Sequence, residues 1–125
     1  MRSRAPACAA FAWLATMSLT LAACTQAPPI SPAERMLGNP ADVKRGKSIF
    51  VGTCGAYCHS MTKDFRDAPY LFDCEWLHGG ADEQIFATIS NGVPGTRMIG
   101  FKDKLPQGDD DIWRLVAYLK SERKC

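Results

Sequence analysis

"TCGAYCHS", residues 53–60, decides how the rest of the chain is interpreted. It holds Cys54, Cys58 and His59, with three residues between the two cysteines. Thiols and imidazole are the side chains that bind transition metals or react as nucleophiles and redox groups. The stretch therefore predicts either a site that holds a metal-containing group or a thiol redox site.

The first 23 residues, 1–23, differ in composition from the rest of the chain. Arg2 and Arg4 are followed by an apolar run, and the first acidic residue is Glu34. This order is typical of an export signal, although a run of roughly 20 apolar residues could also remain as a membrane helix. "LAAC" at residues 21–24 resembles the lipobox of bacterial lipoproteins, which implies cleavage before Cys24 and lipid attachment to it.

The resemblance to lipoproteins predicts an exported domain held on a membrane by lipid chains at Cys24 and facing the periplasm. Thr25 stands where an aspartate would favour retention at the inner membrane, so the outer membrane is slightly preferred. Removal of Arg2 and Arg4 reduces the 15 basic residues to the same number as the 13 acidic ones. A neutral chain without a basic stripe is not expected to bind nucleic acid.

The remaining chain divides into two parts. Residues 24–39 are rich in proline and polar residues, so they predict a lipidated N-terminus followed by a flexible tether. Residues 40–125 predict one folded domain, whose small size favours a stabilising covalent cofactor or disulfide.

Three helices are predicted, and no segment has a convincing strand pattern. Asn39-Pro40 is typical of a helix start, residues 81–90 predict a second helix, and Asp109 to Asp111 are expected to cap and charge the start of a third. Gly46 lies inside the first helix, where glycine costs about 1 kcal/mol relative to alanine. Its presence indicates that another element approaches closely.

The domain resembles a class I cytochrome c. That family has a glycine and, four residues later, a phenylalanine in its first helix, which Gly46 and Phe50 match. A leucine and an aromatic residue of the last helix cross that glycine, and Leu115 and Tyr118 match them. The resemblance implies an all-α fold of three or more helices around one covalently bound haem c.

The resemblance also assigns roles to site residues. Cys54 and Cys58 would attach the haem, and His59 and Met98 would be the two axial ligands of the iron. Pro69, ten residues after His59, would accept a hydrogen bond from the ligand histidine through its carbonyl group. Trp76 is similar to the tryptophan that donates to a haem propionate in several members of the family.

Two alternatives stay open at this stage. His78 is the rival to Met98 as the sixth ligand. The haem attachment sequence has two residues between its cysteines, whereas this chain has three, and Gly55 is expected to absorb the additional residue through a positive φ. If the stretch is not a haem motif, Cys54 and Cys58 would serve a copper metallochaperone or a thiol-disulfide redox protein.

The last two cysteines, Cys74 and Cys125, predict a disulfide, because disulfides persist in exported proteins. Free thiols are the alternative.

A haem with both axial positions filled has no open position for a substrate, which favours electron transfer over catalysis. The expected function is therefore that of an electron carrier, not an enzyme, and no small-molecule substrate is expected. Its redox partners would be a dehydrogenase, an oxidase or another cytochrome. A faint resemblance of residues 67–76 to cytochromes that serve quinoprotein alcohol dehydrogenases suggests such a dehydrogenase as donor and a terminal oxidase as acceptor.

Overall fold

The computed structural model describes residues 29–63 and 68–125. The predicted export signal and Cys24, the predicted site of lipid attachment, therefore lie outside the described residues. The helices are α1 (Pro32–Leu37), α2 (Pro40–Ile49), a π-helical segment (Phe50–Gly55) that continues α2, α3 (Asp82–Asn91) and α4 (Asp109–Glu122). Within the two described ranges, β structure is limited to one isolated antiparallel bridge between Gly92 and Ile99. The prediction of a small all-α domain is confirmed.

The predicted helix starts agree with the observed ones to within one residue. The side chain of Asn39 caps α2 by accepting a hydrogen bond from the backbone N–H of Ala41 at 3.0 Å, and Pro40 occupies the first turn. Such a cap satisfies an N–H group that has no partner within the helix. None of the helices in the described part of the chain is long and apolar enough to cross a membrane.

The crossing of α2 and α4 is the centre of the fold. A Cβ atom placed on Gly46 would overlap the carbonyl oxygen of Arg114 and would lie 2.9 Å from Tyr118 Cβ. The close approach predicted from Gly46 is thus observed, and Tyr118 is one of the residues that make it. The buried apolar core spreads from this crossing through Phe50, Phe72, Ile112, Leu115, Val116 and Leu119.

Asp111 has a different role from the one predicted. Asp109 and Asp110 are exposed at the start of α4, but Asp111 is fully buried and binds Arg45 of α2 through two hydrogen bonds of 2.6 and 2.7 Å. Arg114 donates a hydrogen bond of 3.1 Å to the same carboxylate, and it donates a second one, of 2.7 Å, to the carboxylate of Asp42. The hydrogen bond with Arg45 is the main reason why the pKa of Asp111 is lowered. The carboxylate therefore joins α2 to α4.

The prediction of a flexible tether up to residue 39 is wrong for α1, which packs against α4. Ser31 caps this helix by accepting from the N–H of Glu34 at 3.0 Å, and Ala33 is completely buried. Lys120 of α4 donates to Glu34 at 2.6 Å and to Asp82 of α3 at 2.9 Å. The proline content suggested a tether, but Ser31 and Glu34 have the spacing of a capping box, a signal for a helix start.

Candidate functional site

A cavity of about 920 Å³ lies between the residue 53–59 motif, the loop before α3, α3 itself and the loop after it. Its volume falls within the range of roughly 300–1,000 Å³ that is usual for cofactor and ligand sites. The cavity is lined by all six residues that were predicted to bind the cofactor: Cys54, Cys58, His59, Pro69, Trp76 and Met98. The fold therefore brings together side chains that are up to 44 positions apart in the chain.

The additional residue of the motif is absorbed by the π-helical segment. The carbonyl oxygen of Cys54 accepts from the N–H of Cys58 at 3.1 Å and from that of His59, five residues ahead, at 2.9 Å. The backbone hydrogen bond of a π-turn joins residues five positions apart, whereas that of an α-helix joins residues four apart. A π-turn therefore accommodates one additional residue without ending the helix. The expected positive φ at Gly55 is wrong, since the structure places Gly79, Gly92, Gly95 and Gly108 in that region and Gly55 outside it.

The imidazole of His59 is held in one orientation. The residue is only 7% exposed, and its Nδ1 lies 2.8 Å from the carbonyl oxygen of Pro69. A carbonyl oxygen can only accept a hydrogen bond, so Nδ1 carries a proton, and in the neutral form of the imidazole the lone pair is on Nε2. This is the tautomer that a metal-ligating histidine needs.

Met98 is half-buried on a different wall of the cavity, in the loop between α3 and α4. Its carbonyl oxygen accepts from Val93 N–H at 3.0 Å, and its own N–H donates to Thr96 Oγ1 at 3.1 Å. Gly92 lies at the start of this loop with a φ of 72° and packs against Gly100. A Cβ atom on Gly92 would lie 2.6 Å from the Gly100 nitrogen. The hydrogen bonds and the close approach fix the backbone that carries the thioether.

Trp76 has a buried polar atom that the described residues leave without a partner, its indole Nε1. A buried N–H that finds no acceptor in the protein indicates an acceptor supplied by a bound group. The neighbouring Gly80 makes room for the indole, because a Cβ atom there would lie 2.8 Å from Trp76 Cδ1. A carboxylate of a cofactor in the cavity fits this donor.

The two thiols of the motif are free and half-buried. Burial, with a smaller contribution from Cys58, raises the pKa of Cys54 to about 11. Thiol exchange proceeds through the thiolate, so the burial of Cys54 disfavours the thiol-redox alternative. No group of three or more histidine, cysteine or acidic residues that could hold a metal ion occurs in residues 29–63 and 68–125.

The structure also describes three further predicted residues, His78, Cys74 and Cys125. His78 is exposed and lines the same cavity as Met98. The structure pairs Cys74 with Cys125 as a disulfide, with Cα atoms 5.7 Å apart. The backbone N–H of Lys124 donates to the carbonyl of Phe72 at 2.9 Å, which holds the end of the chain beside the loop.

Sequence reasoning missed the wall that α3 contributes. Ile85, Thr88 and Ile89 all line the cavity from this helix. Their spacing of three and four residues is the signal that could have found them, because such positions share one face of a helix.

The comparisons with known proteins agree with this arrangement. The model of the family described as "Cytochrome C oxidase, cbb3-type, subunit III" matches residues 41–119. The cbb3-type cytochrome c oxidase subunit CcoP of Rubrivivax gelatinosus is 35% identical over 65 residues, which are 51% of this chain and 21% of that protein. The cbb3-type cytochrome c oxidase subunit FixP of Sinorhizobium medicae (strain WSM419) is 30% identical over 105 residues, which are 74% of this chain and 35% of that protein.

The chain thus spans only about a fifth to a third of the length of these curated relatives. No solved structure matches it.

Proposed function

The chain belongs to the cytochrome c family described as subunit III of cbb3-type cytochrome c oxidase, and we propose that it carries single electrons through a haem held by Cys54, Cys58, His59 and Met98. Covalently bound haem c is the cofactor of this family, and such a domain faces the periplasm. The observation that carries the proposal is the convergence of two thiols, an imidazole and a thioether on one cavity.

The side chains have complementary roles in this proposal. Cys54 and Cys58 would anchor the group covalently, and His59 would offer Nε2 to the iron because its Nδ1 is hydrogen-bonded to the Pro69 carbonyl. Met98 would supply a neutral, soft sulfur as the second protein ligand of the iron. When bound, the haem supplies a reversible one-electron couple, and a methionine ligand raises its potential relative to a second histidine. Two protein ligands leave no position for a substrate, which supports a carrier that is not an enzyme.

The proposal also includes the redox partners of the domain and its attachment to a membrane. The relatives are oxidase subunits, which supports a terminal oxidase as the acceptor of electrons. A quinoprotein-type dehydrogenase is the proposed donor. Lipids on Cys24 would hold the domain at the membrane, with the outer membrane preferred. Cys24→Ser should then release the protein in soluble form, whereas fractionation with membranes after a high-salt wash would contradict lipid anchoring.

The disulfide between Cys74 and Cys125 is also proposed for the exported protein, since the periplasm is oxidising. Alkylation before reduction should leave both residues unlabelled, as mass spectrometry of the tryptic peptides would report. Labelling of either thiol in the unreduced protein would contradict it.

The axial ligand is tested by comparing Met98→Ala with His78→Ala, which alters another side chain of the same cavity. Wild-type ferrous protein should resist carbon monoxide, and its ferric form should show the weak long-wavelength band of sulfur-to-iron charge transfer. Met98→Ala should lose the band and bind carbon monoxide readily, whereas His78→Ala should change neither. The reverse pattern would indicate two histidine ligands, and rapid carbon monoxide binding by the wild type would contradict a carrier role.

A further inference from the structure

The segment after α4 is fastened at two points to the loop that precedes α3. Cys125 forms the disulfide with Cys74, and the backbone N–H of Lys124 donates to the carbonyl oxygen of Phe72 at 2.9 Å. Neither cysteine lines the cavity, so the disulfide is not itself part of the cavity wall. The family match covers residues 41–119, so Cys125 lies outside the part of the chain that the family describes.

Cys74 has an unusual backbone conformation. Its φ is 67°, in the left-handed region that residues other than glycine rarely adopt. Such a conformation persists only where the surrounding structure holds it, and it is often found at functional sites. The disulfide to Cys125 supplies a covalent restraint at this residue.

The loop before Cys74 is anchored by the core. Phe72 is 4% exposed, and its ring lies 5.3 Å from that of Phe50, measured between centroids. Phe72 stands between Cys74 and Pro69 in the sequence, and the carbonyl oxygen of Pro69 holds the imidazole of His59. The hydrogen bond between His59 and Pro69 is therefore expected not to depend on the disulfide.

The loop after Cys74 has weaker anchors. Glu75 and Trp76 line the cavity there, and Trp76 is two residues from the disulfide. The Nζ atom of Lys63 lies 3.5 Å from Asp73, but the lysine side chain is 72% exposed, and exposed ion pairs contribute little to stability. The N–H of Glu75 donates to Asp73 at 3.2 Å, a bond within the loop. Of these links, the disulfide is the one that can fix Trp76 relative to α4.

We propose that Cys74 and Cys125 are positioning residues for electron transfer, because their disulfide holds the turn that places Trp76 in the cavity wall. This inference rests on the proposed haem function. A wall that loosens at Trp76 admits water to the cavity, and ferric haem carries one positive charge more than ferrous haem. Water stabilises the more charged state, so loss of the disulfide lowers the reduction potential of the haem.

The experiment uses full-length holoprotein in detergent and combines Cys74→Ser with Cys125→Ser as the serine pair. The midpoint potential is measured by redox titration of the visible spectrum. The serine pair should favour the ferric state by about tenfold, which is a fall of about 59 mV for a one-electron couple. The sulfur-to-iron band and the resistance to carbon monoxide should be retained, because neither proposed axial ligand is changed.

Hydrogen exchange locates the change within the loop. Amide exchange over residues 75–80 should accelerate by about tenfold or more in the serine pair, because these residues follow the released turn. Residues 70–72 and α3 should keep their protection, since the buried ring of Phe72 and the helix itself hold them.

The matched control is Val116→Ala, which removes volume from the core within α4. Val116 is fully buried and does not line the cavity, so this variant loses stability without releasing the loop. Its reduction equilibrium constant should differ from that of the wild type by less than about twofold.

Chemical reduction of the assembled wild-type holoprotein tests the link without a change in sequence. Dithiothreitol reduces the disulfide, iodoacetamide alkylates the two thiols, and the reagents are removed before the titration. The treated wild type should show a fall in potential similar to that of the serine pair, and the same treatment of the serine pair should cause no further fall. This measurement decides the question if the serine pair does not assemble with haem.

An unchanged potential in the serine pair, or in the treated wild type, would overturn the inference. An equal fall in Val116→Ala would also overturn it, because a general loss of stability would then be the cause. Loss of the sulfur-to-iron band together with the fall would assign the effect to a lost ligand instead. Failure of the haem proposal is a separate result, because it appears in the wild-type spectrum before either cysteine is changed.

Discussion

The α2–α4 crossing and the cavity side of this domain are stabilised in different ways. At the crossing, backbone lies against backbone at Gly46, and the buried Asp111 binds two arginines. On the other side, the walls enclose a cavity of about 920 Å³, and the buried indole N–H of Trp76 has no acceptor within the described residues. The comparison teaches that the chain itself fills the crossing, where the Tyr118 hydroxyl is the buried polar atom left without a partner among the described residues, whereas on the other side the chain leaves a cavity that the haem would fill.

The largest expected effect comes from removing the haem attachment. Cys54→Ala combined with Cys58→Ala should prevent covalent binding and leave the cavity walls without the group between them. Amide hydrogen exchange in α3 should then accelerate by about 100-fold or more, while α2 and α4 keep most of their protection. The control, Cys74→Ser with Cys125→Ser, removes a different covalent link but should retain the haem. Equal loss of protection in α2, α3 and α4 would contradict this difference between the two sides.

The next effect tests the contact at the crossing. Gly46→Val should destabilise the holoprotein by about 3 kcal/mol or more, because the side chain would overlap the Arg114 carbonyl. The measurement is urea unfolding followed by circular dichroism. Gly52→Ala is the matched control, since a Cβ atom there has no atom within 4 Å. Comparable destabilisation by both variants would show that close packing is not the reason for glycine at position 46.

A smaller loss is expected from Asp111→Asn, about 2 kcal/mol at neutral pH. Removal of one partner from a buried ion pair is destabilising, but Arg45 is 36% exposed and water can partly solvate it. The lowered pKa of Asp111, caused mainly by Arg45, fixes the sign of the pH effect. The stability contribution is complete above the ordinary aspartate pKa of about 3.9 and is lost as the pH falls through the lower folded value.

The wild type and Asp111→Asn should therefore converge in stability towards acid pH. Asp110→Asn, at an exposed position in the same helix turn, should cost about 0.5 kcal/mol. If the free energies of unfolding of the wild type and Asp111→Asn differ by the same amount from neutral to strongly acid pH, the ionised pair is not the cause of the difference.

The smallest effect concerns α1. Lys120→Met should cost about 1 kcal/mol and increase hydrogen exchange in α1, because Lys120 links Glu34 and Asp82. Burial would lower the pKa of Lys120, but the hydrogen bonds to the two carboxylates raise it overall. The contribution is thus complete below the ordinary lysine pKa of about 10.4 and is lost as the pH rises through the higher folded value. Lys124→Met, at an exposed position, is the control, and unchanged exchange in α1 would argue against the link.

The sequence by itself determined the features that depend on neighbouring residues. The cap at Asn39, the starts of α3 and α4 and the order of cysteine, cysteine and histidine are local, since each involves residues within a few positions of one another. Gly46 indicated a close contact because glycine inside a helix is unfavourable on its own. The resemblance to class I cytochromes c then supplied the partners that these local signals could not identify.

Only the tertiary structure decided the features that depend on distant residues. Asp111 looked like a helix cap until Arg45, 66 positions away, was seen to neutralise it in the core. Residues 32–37 looked like tether until α4 was seen to bury Ala33. Burial and ion pairing arise from contacts between segments far apart in the chain, and the same is true of the cavity that gathers Cys54, His59 and Met98.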